Sequence, residues 1–150
     1  MKKSFIYLSV LAVSLAACNQ NPKNTQQQEQ TEDHSMHNKC YQAITNADTL
    51  NMTIHDHGGK VMGTLDFKFK EKPNTNGQIT GEFRGDTLFV DYSYEFNNTP
   101  SKNPLVFLKQ GEDLIQGSGI IETYLGKTYF KEGSQINFGE GFNLKPTDCK

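Results

Sequence analysis

From Thr49 onward, apolar and polar residues exchange places with a period of two. Leu50, Met52 and Ile54 alternate with Thr49, Asn51, Thr53 and His55. Val61, Leu65, Phe67 and Phe69 alternate with Met62, Thr64, Asp66, Lys68 and Lys70. Leu88, Val90, Tyr92, Tyr94 and Phe96 alternate with Phe89, Asp91, Ser93 and Glu95. Successive side chains of a strand point to opposite faces, so the pattern predicts half-buried strands with one apolar face inward. No stretch offers a persuasive helical period. All 13 glycines lie between Gly58 and Gly141, where they punctuate the strands as turns.

The turns specify registers. Gly58-Gly59 as a hairpin turn pairs His57 with Lys60, Ile54 with Gly63, Met52 with Leu65 and Leu50 with Phe67. Gly85-Asp86 as a Gly-first turn pairs Phe83 with Leu88, Gly81 with Val90 and Ile79 with Tyr92. The longer loop Pro73-Asn74-Thr75-Asn76 is expected to set Phe67 opposite Phe83, Lys68 opposite Glu82 and Asp66 opposite Arg84. Each register brings apolar residues opposite apolar residues or glycine, and a one-residue slip would invert the face. Residues 48–96 therefore read as an antiparallel meander.

Four further strands are expected at Leu105–Lys109, Leu114–Thr123, Thr128–Lys131 and Gln135–Phe138, with Gly111 and Gly126 in turns. About eight strands fit an all-β fold, a closed or nearly closed lipocalin-like up-and-down barrel, with a two-sheet sandwich as the alternative. Closure removes the edges that an open sheet must protect. The expected inner face carries Phe67, Phe69, Phe83, Tyr92, Tyr94, Phe96 and Phe130, which favours a filled interior. Gly63 and Gly81 on that face leave the alternative of room for a small apolar ligand. A Gly111-Glu112 turn pairs Leu108 with Ile115 and Val106 with Gly117, and these are expected to point inward. Leu105, Phe107, Leu114, Ile120, Tyr124 and Tyr129 then form an apolar strip on the opposite face. Either the stretch Phe138 to Leu144 folds back over it, or Leu105, Phe107, Ile120, Tyr124 and Tyr129 dock a partner in the envelope.

The start of the chain follows other rules. Met1-Lys2-Lys3 is basic, Phe5 to Leu15 is a short apolar run, and Leu15-Ala16-Ala17-Cys18 closes it. This is a bacterial secretory signal ending on the lipobox of lipoproteins, so residues 1–17 are expected to be removed. The mature chain then begins at Cys18, with a diacylglyceryl group on its sulfur and an acyl chain such as palmitate on its new amino group. Stable anchoring needs about two chains. A membrane-spanning helix would need about 20 apolar residues, and this run is shorter, with Ser9 and Ser14 inside it. Asn19 offers no retention signal of the aspartate type, so the expected address is the outer membrane. Residues 18–39 are rich in Asn and Gln and too polar to fold, a tether reaching on the order of 25 Å. Residues 40–150 are the expected barrel domain.

Charge and cysteines narrow the class. Lys2 and Lys3 leave with the signal, so 13 basic residues face 17 acidic ones, a net of −4. A mildly acidic exported domain has no electrostatic reason to bind nucleic acid. With Cys18 lipidated, Cys40 and Cys149 remain as an even pair in an oxidising compartment and are expected to form a disulfide.

Candidate chemistry is sparse. His34, Met36 and His37 form a soft donor cluster that suits copper, but the tether lends it no fixed geometry. His55 and His57 alternate onto the outer face of one strand and read as solvated histidines. No metal or other cofactor is therefore expected. Nucleophile elbows, phosphate loops and His-Glu-x-x-His are missing, and Gly117-Ser118-Gly119 lies within a strand pattern with no histidine after it. Glu112-Asp113 sits at an exposed turn. The expectation is a binding or structural module, not an enzyme.

Cys40-Tyr41, Gly85-Asp86-Thr87-Leu88, Phe107-Leu108-Lys109-Gln110-Gly111 and Cys149 resemble features of uncharacterised envelope lipoproteins of the Bacteroidota. The resemblance spans about residues 40–149 and implies a fold and a location. The chain is also similar to the periplasmic inhibitors of c-type lysozyme, small disulfide-closed barrels on lipid anchors, through the strand end Phe107 to Gly111. Their inhibitory Ser-Gly-x-x-Tyr loop has no counterpart, since the comparable stretch reads Ser101-Lys102-Asn103-Pro104.

Overall fold

Every strand of the first-half meander is present, and the second half adds staves that complete a barrel. The computed structural model describes residues 38–149. Its strands are β1 (Asn38–Thr45), β2 (Asp48–His57), β3 (Lys60–Lys68), β4 (Thr75–Arg84), β5 (Thr87–Phe96), β6 (Thr99–Gln110), β7 (Asp113–Ser118), β8 (Ile121–Tyr124), β9 (Lys127–Phe130) and β10 (Asn137–Thr147). Eight of them close an antiparallel barrel in the order β1-β10-β7-β6-β5-β4-β3-β2, and β8 pairs with β9 as a separate hairpin. The lipobox Cys18 and the cluster His34, Met36 and His37 lie outside the described residues.

The two hairpin registers of the meander are as expected: Ile54 faces Gly63, Met52 faces Leu65, Phe83 faces Leu88 and Ile79 faces Tyr92. The β3–β4 register differs. Phe67 stands opposite Thr75, not Phe83, and Lys60 opposite Glu82. The connecting loop is tighter than expected because Phe69 N–H donates to Asn74 Oδ1 at 2.8 Å, which lets β4 begin at Thr75. The shift is an even number of residues, so every side chain keeps its face. Charge pairs then run along strands instead of across them: Lys68 with Asp66 at 3.4 Å and Arg84 with Glu82 at 2.8 Å.

The faces of the second half are the reverse of the expectation. Asn97 and Asn98 both adopt positive φ (49° and 60°) and make a two-residue turn. That turn sets Leu88 opposite Phe107 and Val90 opposite Leu105. Partners across a ladder share a face, so Leu105, Phe107 and Leu114 point into the barrel, and Val106, Leu108, Ile115 and Gly117 point out. Phe107 and Leu114 are completely buried in the core. The turn also makes residues 101–104 part of β6, so no free loop spans 97–104.

The chain ends build the seam. β1 was not anticipated, and β10 is a stave between β7 and β1, not a flap over the outer face. Leu144 accordingly sits fully buried beside Leu114. The β1–β10 ladder is short, pairing Cys40 with Thr147, Tyr41 with Pro146 and Gln42 with Lys145. Cys40 and Cys149, 109 residues apart, are disulfide-bonded across this seam with Cα atoms 5.2 Å apart.

Leu50, Met52, Ile54, Leu65, Ile79 and Leu88 join Phe107, Leu114 and Leu144 to fill the interior. Gly63 and Gly81 do not open a cavity there. A Cβ on either would come within 1.9 Å of a neighbouring backbone oxygen, Thr53 O or Phe89 O, so these glycines allow the strands to coil tightly.

Candidate binding site

The up-and-down order gives the barrel two unlike ends. At one lie the start of β1, the disulfide and the turns at Gly58-Gly59, Gly85-Asp86 and Gly111-Glu112. At the other lie the Asn46-Ala47 turn, the β3–β4 loop and the Asn97-Asn98 turn. Because β1 starts at the disulfide end, the opposite mouth lies at the far end of the barrel from Asn38.

That mouth is lined with rings. Phe67 and Phe69, two residues apart on one face, stack at 5.5 Å, and Tyr92 and Tyr94 stack at 4.6 Å. Phe67 and Tyr92 meet edge to face at 5.7 Å and join the pairs into one cluster. Phe142 of β10 leans on Phe67 from the other side at 6.0 Å. Phe67 and Tyr92 are buried at the bottom, whereas Phe69 and Tyr94 are half-buried and Phe96 is exposed at the rim. Together with Lys72, Pro73, Thr75 and Asn103 they enclose an open depression of ≈ 400 Å³.

Polar groups punctuate this cup. Tyr92 OH donates to Thr75 Oγ1 at 3.0 Å, and Asn103 Nδ2 donates to Tyr94 OH at 2.9 Å. Lys72 Nζ stands 5.8 Å from the centre of the Phe69 ring, within reach of a cation–π contact. Burial pushes the Tyr92 phenol above its ordinary value, partly offset by the Thr75 hydroxyl. Tyr92 is therefore a neutral donor at neutral pH. A concave apolar surface with a few convergent polar groups at a barrel mouth is the usual form of a small-molecule site.

The disulfide end is smaller and more polar. Tyr41, Ile54 and Phe83 line a depression of ≈ 160 Å³ together with Lys39, Asp56, Asp86 and Lys109. The Tyr41 phenol is also raised, by burial first and then by Glu112 and Asp56.

A third feature is the β8–β9 hairpin, which straps across the outside of β6. Lys131 N–H bonds to Ile120 O at 2.7 Å and closes its base. Phe130 meets Phe89 edge on at 6.5 Å, and Pro104 and Val106 are buried on the same outer side. Phe130 thus belongs to the outer layer, not the interior face. The cleft beside the strap, ≈ 460 Å³, is lined by Lys60, Glu82, Arg84 and Asp91 among others, with Arg84 paired to Glu82 at 2.8 Å and Asp91 paired to Lys102 from outside the lining at 2.8 Å.

The expected interaction strip is divided by this arrangement. Leu105 packs against the interior and Phe107 is wholly within it, so neither can dock a partner. Ile120, Tyr124 and Tyr129 are exposed on the strap, in the company of Leu125 and Ile121. His55 and His57 lie on the outer side of β2, the first half-buried and the second exposed. The rings of the mouth were legible as an inner face, whereas Lys72, Thr75 and Asn103 carried no signal, because Lys72 belongs to the β3–β4 loop and only the registers bring Thr75 and Asn103 to the rim. No family model, curated protein or solved structure matches the chain, so geometry alone carries the functional reading.

Proposed function

We propose that this chain is a lipid-anchored, non-enzymatic binding module of the bacterial cell envelope that holds its ligand in the aromatic mouth. The lipobox at Cys18 supports the anchor, and the outer membrane is its address on the same grounds. The observation that carries the binding reading is the ring cluster Phe67, Phe69, Tyr92 and Tyr94, left open at the barrel end opposite the disulfide. A filled interior moves the ligand from inside the barrel to its rim. Such a cup fits a small amphipathic molecule that lays an apolar face on the rings and turns polar groups toward Lys72 and Asn103. Two experiments test the proposal. Anilinonaphthalene sulfonate, flat, apolar and anionic, should bind at one saturable site, with weaker binding in Phe69→Ala and Tyr94→Ala. Binding that survives both substitutions would place the ligand elsewhere. Labelled palmitate should enter the wild-type chain and not Cys18→Ser; equal labelling would remove the anchor.

A second reading, docking of an envelope protein by the β8–β9 strap, is favoured by Leu125. This residue is 84% exposed and adopts a left-handed φ of 48°, two features that local folding alone disfavours. Loss of a copurifying partner in Leu125→Asn, with mouth binding unchanged, would favour it.

A further inference from the structure

The way the mouth is built restricts both the charge and the shape of what it can hold. Of the nine residues that line it, Lys72 alone carries a charge. Among the described residues no carboxylate forms an ion pair with it. Glu71 and Glu95, the acidic neighbours of Lys72 and Tyr94 in sequence, are exposed and do not line the cup. The loop that bears Lys72 is tied down where it leaves β3. Phe69 N–H donates to Asn74 Oδ1 at 2.8 Å, and Lys70 N–H donates to Asp48 Oδ1 at 3.0 Å. Lys72 Nζ stands over the Phe69 ring, so the charge and the apolar surface lie side by side.

The hydroxyls of the cup are left as donors. Asn103 Nδ2 donates to Tyr94 OH, which keeps the Tyr94 proton for a ligand. Tyr92 OH donates to Thr75 Oγ1, which does the same for the Thr75 proton. One ammonium, two donor hydroxyls and no acid in the lining are complementary to a single anionic group, the acceptor that makes the strongest hydrogen bonds. The floor sets the shape. Phe67 and Tyr92 are buried, and the described interior is filled with side chains, so the barrel takes no long alkyl chain along its axis. The stacked pairs Phe67–Phe69 and Tyr92–Tyr94 meet edge to face and offer flat surfaces on which another ring packs well.

We infer that the mouth selects compact aromatic monocarboxylates, with the ring laid on Phe69 and Tyr94 and the carboxylate turned to Lys72. This inference rests on the reading of the mouth as the binding site. Calorimetry at low salt and neutral pH tests it, with the full chain in phosphatidylcholine nanodiscs and empty nanodiscs as the blank. Naphthoate should bind about tenfold more tightly than naphthamide, its uncharged counterpart, and than decanoate, which has the charge without the ring. Lys72→Gln should remove most of the margin over naphthamide, and Lys72→Arg should keep it. Phe69→Ala should weaken naphthoate and naphthamide alike. Naphthamide or decanoate binding as tightly as naphthoate, with Phe69→Ala still weakening them, would overturn the ligand class and leave the mouth as the site. A margin that persists in Lys72→Gln, or no binding of naphthoate where anilinonaphthalene sulfonate binds, would do the same. Binding that Phe69→Ala leaves untouched would overturn the mouth as the site, and this inference with it.

Discussion

The two halves of the barrel wall are held by different means. In β2–β5 each strand is joined to the next by a local connection, and the ladders run nearly the full length of the strands. Neighbours in sequence are neighbours in space, so local turn chemistry and alternation suffice to align them. The other half ends on β10, which has no local partner. It reaches β7 through a ladder interrupted between Phe138 and Asn143, and β1 through a short ladder that includes Pro146, which has no N–H to give. Where the ladder is weakest, the Cys40–Cys149 bond takes over. The wall of this barrel is thus held by a covalent bond at the β1–β10 seam and by local turns within β2–β5.

Cutting the bond breaks that contrast most directly. A double Cys40→Ser/Cys149→Ser variant frees a loop of 109 residues, and the chain-entropy model assigns such a loop about 4–5 kcal/mol. Denaturant unfolding should register a loss of that order. Hydrogen exchange should then show β1 and β10 opening before β2–β5. A uniform loss of protection over the whole wall would mean that the seam is no weaker than the meander.

Phe107 tests which way the second half faces. It fills the interior opposite Leu88, so Phe107→Ala should cost about 3–5 kcal/mol. Tyr129 is exposed on the strap, and Tyr129→Ser should fall within about 0.5 kcal/mol of wild type. Similar losses at the two positions would return Phe107 to the outer strip.

This pair also explains what was legible in the chain and what was not. In β2–β5 the outward residues are mostly polar, so alternation reveals the face. In β6 and β7 both faces are apolar: Leu105, Phe107 and Leu114 meet the core, while Val106, Leu108 and Ile115 lie on the outer side. Part of that outer side is covered by the strap, with Pro104 and Val106 buried and Phe130 against Phe89. Periodicity cannot tell two buried faces apart. The decisive signal was Asn97-Asn98, a pair that tolerates positive φ and carries the parity of β5 into β6. The mouth was half legible for a similar reason. Its rings follow the period of two, whereas Lys72 belongs to a loop and Asn103 to a register set by that same turn.

Two tyrosines report on the barrel ends through pH. Tyr92 at the mouth and Tyr41 at the disulfide end both hold their protons more tightly folded than unfolded. A raised pKa contributes stability that is fully present below the unfolded value of 10.0 and is lost as pH rises through the folded value. Stability should therefore hold through neutral pH and fall above 10.0, the fall becoming shallower in Tyr92→Phe. Ultraviolet titration of tyrosinate should find both among the last to ionise. An early-ionising Tyr92 would mean that the mouth is wetter than its packing implies.

The smallest effect belongs to the strap, where the contrast between local and long-range control is sharpest. The β8–β9 turn is formed by Leu125 and Gly126, both at positive φ (48° and 75°). Glycine adopts this conformation freely, but leucine pays roughly 1–2 kcal/mol for it. Nothing in the barrel repays that cost, because the side chain is 84% exposed. Asn tolerates the left-handed region and carries no apolar surface, so Leu125→Asn should stabilise the chain by about 1 kcal/mol. Thermal unfolding at matched concentration measures it. A destabilised variant would show that the leucine makes a contact within the molecule, and the strap would then belong to the barrel's own packing instead of facing outward for a partner.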